Sequence, residues 1–536
     1  MNGPLLAVLA LQLPAAVSPR PPYWQQGVRY EIHASLDEAA GVLSGTQRMV
    51  YINHSPDTLR TVSFHLHLNA FRPGSRWADA DSVERRRRFN HLRDPDYGFN
   101  HVRNARIMGE AIEPTWPFAP DSTVARYPLP RPLAPGDSMT VDLDWDARPS
   151  TVPRRQGRQG RRFDFAQSYP KVVVYDRYGW NEHPLYPGGE FYGEFATYLV
   201  DLDLAEDQVI AATGVPICGD PGWARANQVP GAEIEYQRDW YPDAPRFEAR
   251  GPNCVATVSA DAGAGLPPIP PRPPRPMAQG RKRVVWYAEN VHHWAASLNP
   301  GYRYEGGYWG DVAIHVLYQP GDEATWGNGI AVQRTAIALR WLDGFYGKFG
   351  WPQISNVHRI EGGGTEFPMM VHDGSPSQGL IVHELGHNYT MGLLANNEWR
   401  EGWLDEGFTE FQGAMFDEVM EPRRDIYREE EAFLTGMDLD GESEPASLIS
   451  EDYRDFASYN ISIYSRGALF FHRLRYVVGD EALLRIMRTF YARWMYHHVD
   501  EAAFREVAEE VSGRDLSTLF GQQLHGTPLV DYAIGR

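Results

Sequence analysis

The chain has 536 residues, of which 43% are hydrophobic and 23% charged, and its 70 acidic and 51 basic residues give a net charge of −19. This is the composition of a globular protein, and the length predicts two or three domains because it exceeds what one core usually supports. The negative charge repels phosphate backbones and argues against a nucleic acid partner.

The N-terminal residues have the features of an export signal. The short apolar stretch 5–17 ends in small residues, with Ala16 and Ser18 placed as at a cleavage site. We therefore predict that residues 1–18 are a signal peptide and that the protein is secreted or periplasmic, or cytoplasmic if this stretch is not a signal. No run of about 18 apolar residues occurs elsewhere, so no membrane span is predicted.

The chain contains two cysteines, Cys218 and Cys254, which are too few for a disulfide framework or a cysteine zinc site. They would pair with each other in an exported protein, or they would be two buried thiols. The sequence leaves the oligomeric state open.

Apolar residues alternate with a period of two in the first half of the chain. The pattern occurs in VRYEIHASLD, TVSFHLHLNAF, MTVDLDWDA and ATYLVDLDL. Strands with one polar face form antiparallel sheets, so residues 20–262 are predicted to be an antiparallel β domain. Two arginine-rich segments, 83–93 and 154–162, are predicted to be solvated, mobile loops.

Residues 263–280 are rich in proline, which predicts an extended linker. After the linker the pattern changes. Strands are predicted at VAIHVLYQP and WPQISNVHRI, and apolar spacing predicts a helix over 328–350 between them. Helices are predicted to dominate from Ser377 onward. Residues 281–536 are therefore predicted to form a second, α+β domain.

Two histidines, His383 and His387, lie four residues apart in the helical segment IVHELGHNY. Residues at this spacing share one face of a helix, so both imidazoles can reach one metal ion. Zinc accepts such ligands at about 2.0–2.1 Å. Glu384 is rotated by about 100° from His383, which places it beside a metal-bound water as the general base of an H-E-x-x-H zinc peptidase.

A catalytic zinc site needs a third protein ligand. A third histidine at the spacing of the extended motif is absent, because Thr390 and Leu393 occupy the motif's glycine and histidine positions. We favour Glu406, because a second helix could start near it and run antiparallel to the first. Glu410 would share its face and could orient a ligand histidine. The carboxylates available downstream of the two histidines are Glu398, Glu401, Asp405, Glu406 and Glu410.

The segment HELGHNYTMGLLANNEWREGWLDEGF resembles the H-E-x-x-H-x18-E signature of the aminopeptidase N-type zinc metallopeptidases, peptidase family M1. The resemblance implies that one zinc ion per chain is held by His383, His387 and Glu406. It also implies that Glu384 is the catalytic base.

An upstream segment, GGTEF, resembles the G-x-M-E-N motif of the same family, although Thr365 and Phe367 depart from it. The family's glutamate holds the free amino group of the substrate, and the resemblance assigns this role to Glu366. It assigns Gly363 and Gly364 to an edge strand along which the peptide backbone lies, since glycines allow close approach.

Two further segments resemble family motifs. IYSRGALFF is similar to the Tyr-x-Lys-Gly-Ala helix, which implies that Tyr464 stabilises the oxyanion, with Tyr453 and Tyr459 as nearby competitors. FAQSYPKVVVY is similar to the strand region that contributes a glutamine to the substrate pocket, here Gln167.

The resemblance implies a multidomain chain, in which a saddle-like antiparallel β domain is followed by an α+β thermolysin-like catalytic domain. The implied activity is release of N-terminal amino acids, by zinc-activated water, from peptides with a free N-terminus. Two alternatives remain: an endopeptidase or oligopeptidase with an open cleft, and a non-catalytic zinc-bearing protein that binds peptides.

Overall fold

The computed structural model describes residues 23–189, 191–234, 236–258, 277–421 and 425–527. The predicted signal peptide, 1–18, lies outside the described residues, as does most of the predicted linker, 263–280. Among the described helices, none combines the length and the apolar composition that a bilayer crossing requires.

The described strands occupy most of the first half of the chain, and the described helices most of the last third. The strands are β1 (Gly27–Asp37), β2 (Val42–Ile52), β3 (Leu59–His65), β4 (Phe99–Ile107), β5 (Glu110–Ala111), β6 (Val124–Leu133), β7 (Ser138–Arg148), β8 (Gly157–Gln159), β9 (Arg162–Ala166), β10 (Lys171–Val172), β11 (Tyr175–Asp176), β12 (Gly179–Trp180), β13 (Ala196–Ala205), β14 (Ile210–Ala212), β15 (Val215–Cys218), β16 (Arg246–Arg250), β17 (Asn253–Val258), β18 (Arg281–Val291), β19 (Ala295–Leu298), β20 (Arg303–Trp309), β21 (Val312–Tyr318), β22 (Gln353–His358), β23 (Gly364–Phe367) and β24 (Met370–Asp373). The helices are α1 (Arg76–Val83), α2 (Trp223–Ala226), α3 (Ile330–Phe345), α4 (Gln378–His387), α5 (Glu398–Glu401), α6 (Glu406–Met420), α7 (Ile426–Asp440), α8 (Phe456–Asn460), α9 (Gly467–Val478), α10 (Asp480–Trp494), α11 (Glu501–Ser512) and α12 (Ser517–Gln523).

The largest described sheet has eight strands in the order β15-β18-β13-β1-β2-β7-β4-β5. Its strand pairs are antiparallel except for β1 and β13, which run parallel. Alternate residues of β1, such as Tyr30 and Ile32, are buried in the main core. The predicted β-rich first half is therefore confirmed, and each of its four alternating segments contains a strand.

The sheets of the first half continue past the boundary predicted at residue 281. Strand β18 lies between β13 and β15, and β19 pairs with β9 and β14. We therefore place the boundary later, between Leu298 and Arg303. The alternation that revealed the other strands is missing from β18, because most of its residues are buried on both faces of the sheet.

The second half contains a five-stranded sheet in the order β20-β21-β22-β24-β23. The central pairs, β21 with β22 and β22 with β24, are parallel, whereas the outer strands β20 and β23 run antiparallel to their neighbours. The Gly-rich stretch thus forms the short edge strand β23. Helix α4 contacts α3, α6 and this edge of the sheet, which brings the ends of β23, α4 and α6 together.

Helices α6 and α9 approach each other through two glycines. A Cβ atom added to Gly407 would lie 2.8 Å from Cα of Gly467, and one added to Gly467 would lie 2.8 Å from Cα of Gly407. Such a separation is shorter than van der Waals contact, so any side chain at either position would force the two helices apart. The backbones of α6 and α9 are therefore in direct contact beside the candidate site.

Cys218 and Cys254 form a disulfide, with their Cα atoms 6.1 Å apart. It joins the end of the edge strand β15 to β17, across 36 positions of sequence. The two cysteines are therefore paired with each other in the structure and are not two separate buried thiols.

Candidate active site

Helix α4 presents His383 and His387 on one face, and α6 begins with Glu406. Buried Ile381, Val382 and Leu385 fix the rotation of α4, because they occupy the core. The Nε2 atoms of the two histidines are 3.1 Å apart. Oε2 of Glu406 lies 3.4 Å from Nε2 of His383 and 3.2 Å from Nε2 of His387.

This triangle of donor atoms fits a zinc ion. Tetrahedral coordination with bonds of about 2.0–2.1 Å places neighbouring donors about 3.3 Å apart, close to the three separations observed. Oε2 of Glu406 is buried and accepts no hydrogen bond of ordinary geometry from the described residues. The structure thus brings together the two histidines and Glu406, which are the residues that would hold the metal.

Asp405 orients the second histidine of this triangle. Its Oδ1 lies 2.5 Å from Nδ1 of His387, and both side chains are buried. A proton on Nδ1 leaves the lone pair of Nε2 directed toward the triangle. For His383, the corresponding carboxylate is Glu410, whose Oε1 is 3.6 Å from Nδ1 and thus beyond hydrogen-bond distance.

The backbone of β23 packs directly on Glu384. A Cβ atom added to Gly364 would lie 2.0 Å from Cδ and Oε1 of the Glu384 carboxyl group. Gly363 has a φ of +75°, in the region that favours glycine. Burial raises the pKa of Glu384 to about 7; His383 lowers it, and Glu366 raises it further. Gly364 thus sets the distance between the edge strand and the base, whereas Gly363 serves the turn that leads into the strand.

Tyr464 lies in the π-helical segment Ile461–Arg466, and its hydroxyl donates a hydrogen bond to Oε1 of Glu406. Its ring is parallel to that of His383, with centroids 6.3 Å apart. Burial raises the pKa of the phenol well above its usual value, so it stays a neutral donor. The competing hydroxyl of Tyr453 is used elsewhere, because it donates to the carbonyl oxygens of Pro445 and Ala446.

Glu366 and Arg155 form an ion pair beside the triangle. Glu366, on β23, has a carboxylate oxygen within 4.8 Å of one from Glu384 and of a ring nitrogen of His387. Nη1 of Arg155 donates to Oε1 of Glu366 at 3.2 Å. Glu366 thus lies beside the triangle, and its carboxylate is already paired with a guanidinium of this chain.

Arg155 corrects the prediction that 154–162 is a solvated, mobile loop. Strand β8 and the start of β9 lie in this segment, and Arg155 is paired inside the molecule. The local sequence could not reveal this, because the acidic partner Glu366 is 211 positions away. This charged residue of the site therefore cannot be identified from the local sequence.

Gln167 follows β9 with a φ of +51° and is fully buried. Its side-chain amide has no hydrogen-bond partner among the described residues. It is not among the described residues that line the cavity around the triangle, so the substrate-binding role of Gln167 stays a prediction.

The site opens into a cavity of about 720 Å³. Its wall combines both halves of the chain, since arginines that precede β8 face residues of α4, α6 and β23. The lining residues that matter here are Arg154, Arg155, Arg359, Gly362, Gly363, Gly364, Glu366, His383, Glu384, His387, Glu406, Tyr459 and Tyr464.

A comparison with protein families matches residues 371–522 to the "Peptidase family M1 domain". The matched region contains the three candidate metal ligands, Glu384 and Tyr464, whereas Glu366 and Arg155 lie before it in the sequence.

Known proteins resemble part of the chain. It is 23% identical to aminopeptidase N of Lactococcus lactis over 163 residues, or 28% of this chain and 19% of the relative. It is 24% identical to aminopeptidase B of Rattus norvegicus over 145 residues, or 24% of this chain and 20% of the relative. The match thus spans about a fifth of the length of these relatives.

Solved structures resemble nearly the whole chain. The M1 zinc metallopeptidase of Deinococcus radiodurans has a TM-score of 0.60 and 16% identity, and the match covers 96% of this chain and 97% of that one. A structure described as a two-domain M1 zinc metallopeptidase bound to L-tryptophan also has a TM-score of 0.60, with 15% identity and coverage of 96% and 98%. This likeness confirms the predicted order of a β domain followed by an α+β catalytic domain.

Proposed function

We propose that the protein is a zinc-dependent aminopeptidase that holds one zinc ion and releases N-terminal residues from peptides with a free N-terminus. The observation that carries this proposal is the triangle of His383, His387 and Glu406, with the Glu384 and Glu366 carboxylates beside it. The names of the similar proteins, which are aminopeptidases and zinc metallopeptidases, support it.

Each residue has a role that follows from its position. When bound, zinc supplies a Lewis acid that polarises a peptide carbonyl and lowers the pKa of a water molecule. The carboxylate of Glu384 accepts a proton from the attacking water and passes it to the leaving amine. The Tyr464 hydroxyl donates a hydrogen bond to the oxyanion. Glu366 binds the ammonium of the substrate, which fixes cleavage one residue from its end.

Mass spectrometry of a matched peptide pair tests the proposal. One peptide has a free N-terminus and the other is acetylated, and the Glu384→Gln protein is the blank. We expect residues to be lost one at a time from the free peptide alone. Glu384→Gln should keep its zinc, measured by elemental analysis, and lose turnover.

The other outcomes separate the remaining alternatives. Internal cuts in both peptides would replace the aminopeptidase by an endopeptidase or oligopeptidase. Binding of both peptides without cleavage by the zinc-loaded wild type would indicate a peptide-binding protein. Activity in Glu384→Gln would overturn the assignment of the base.

We also propose that the protein works outside the cytoplasm, in secreted or periplasmic form. The Cys218–Cys254 disulfide supports this, because disulfides persist in oxidising compartments. Mass spectrometry of the protein from its native cells would identify its N-terminal residue. A start shortly after residue 18 would support export, and an intact Met1 on the oxidised protein would contradict cleavage of a signal.

A further inference from the structure

Arg155 reaches the amine-binding carboxylate from the other half of the chain. Its guanidinium contacts Glu366 through one nitrogen, at 3.2 Å, and the exposed fractions of the two side chains are 20% and 8%. A guanidinium and an ammonium are both cations that donate hydrogen bonds to carboxylates. Arg155 therefore makes the contact that the substrate ammonium would make.

The backbone holds Arg155 in this position. Its φ is +60°, which is uncommon for a residue with a side chain. Its backbone N–H donates to Oε1 of Glu361 at 3.1 Å, and its guanidinium lies over the ring of Phe191, 5.5 Å from the centroid. An unusual backbone conformation at a ligand site is commonly tied to function.

Glu398 offers Arg155 a second acidic partner. One of its carboxylate oxygens lies within 4.8 Å of carboxylate oxygens of Glu366 and Asp405. The side chain is 1% exposed, and neither oxygen has a hydrogen-bond partner among the described residues. A buried carboxylate without a partner is costly, so Glu398 would gain from a cation that leaves Glu366.

We propose that Arg155 determines specificity by competing with the substrate ammonium for Glu366, and that it turns toward Glu398 when the ammonium binds. This inference rests on the proposed function, because it takes Glu366 as the amine anchor. The substrates selected are those with a free α-ammonium that can displace an internal guanidinium. A peptide with a neutral, acylated end cannot do so.

Binding to the inactive, zinc-loaded Glu384→Gln protein tests the proposal without turnover. The probes are Ala-Ala-Ala and its acetylated form, with affinities measured by calorimetry. Adding Arg155→Gln should tighten binding of the free tripeptide on the order of tenfold, since a competing charged hydrogen bond is removed. The acetylated tripeptide should bind with the same affinity in both proteins.

Three further variants separate competition from other effects. Arg155→Lys keeps a cation and should resemble the parent. Glu398→Gln should weaken binding of the free tripeptide in the parent, but have no effect once Arg155→Gln is present. Arg158→Gln is the matched control, because this arginine of the same segment is not among the described residues that line the cavity, and its guanidinium donates to the carbonyl oxygens of Pro149 and Pro95. It should leave both affinities unchanged.

The opposite result would overturn the proposal. If Arg155→Gln weakens binding of the free tripeptide while zinc content and thermal unfolding stay normal, Arg155 holds Glu366 in place instead of competing. Equal affinities for the free tripeptide in all variants would show that Arg155 has no influence on ammonium binding at Glu366. Failure of the proposed function would be seen in a different experiment, as absence of peptide cleavage by the wild type. Tighter binding of the free tripeptide by the Arg155→Gln protein would even then support competition between Arg155 and the ammonium for Glu366.

Discussion

Oδ1 of Asp405 lies 2.5 Å from Nδ1 of His387, and neither side chain is more than 1% exposed. Asp405 directly precedes Glu406, so adjacent residues supply one candidate ligand and the group that orients another. The start of α6 thereby provides one ligand of the metal triangle, Glu406, and fixes the ring of another, His387.

Asp405→Ala should weaken zinc binding by about 10–100-fold, because it removes the partner that fixes the ring of His387. Competition with a chelator measures the affinity. Asp405→Asn is the control, since its side-chain oxygen can still accept the Nδ1 proton, and it should keep most of the affinity. Unchanged affinity in Asp405→Ala would show that the ring is held by packing alone.

Gly364→Ala should lower kcat by about 100-fold, because the new methyl group displaces the Glu384 carboxyl group and misplaced catalytic groups cost on this scale. Gly362→Ala is a matched control, since a Cβ atom there meets nothing within 4 Å. Steady-state kinetics and zinc content should be measured for both. Equal kcat values would mean that Glu384 can shift without loss of function.

Tyr464→Phe should lower kcat by about 100–1,000-fold with little change in KM, since it removes one oxyanion donor. Zinc binding should persist, because the tyrosine is not a ligand. Tyr453→Phe is the comparison. It removes a buried hydroxyl that donates to two backbone carbonyl oxygens, so it should lower the unfolding temperature and leave kcat nearly intact. A large loss of kcat in Tyr453→Phe, with kcat nearly intact in Tyr464→Phe, would assign the catalytic role to Tyr453 instead.

Glu401 should make stability depend on pH. Burial, together with Asp500, raises the pKa of its carboxyl group from 4.5 to about 8. A raised pKa in the folded state means that the stabilising contribution is complete below about pH 4.5 and is lost as the pH rises through 8. Glu401→Gln should therefore unfold at a higher temperature than wild type at pH 9, but not at pH 5.

The exposed Glu481, 92% accessible at its side chain, supplies the control for this measurement. Glu481→Gln should follow the wild type at both pH values. Parallel shifts for both variants would show that the effect comes from net charge and not from Glu401.

The metal triangle could be predicted from sequence because its chemistry is local. His383 and His387 are one helical turn apart, and Glu406 follows within the same motif. The resemblance to a short motif singles out the glycines and Glu366; Gly364 and Glu366 lie on the edge strand β23, and Gly363 directly precedes it. In each case the residues lie within one stretch of sequence that resembles a family motif.

Arg155 and Glu398 could not be assigned in the same way, because their roles depend on tertiary contacts. An arginine-rich segment predicts solvent exposure unless its acidic partners are known, and Glu366 is 211 positions away. From the sequence, Glu398 is only one of several candidate metal ligands. The late domain boundary has a similar cause, since a strand buried on both faces, such as β18, lacks the alternation that identifies its neighbours.

The contact of Gly407 with Gly467 ties the position of Glu406 to that of Tyr464. Gly407 directly follows Glu406, Gly467 is three residues after Tyr464, and the two helices meet there through backbone atoms, which cannot change rotamer. The proposed metal ligand and the proposed oxyanion donor therefore depend on one backbone contact. A substitution at either glycine would disturb both groups together.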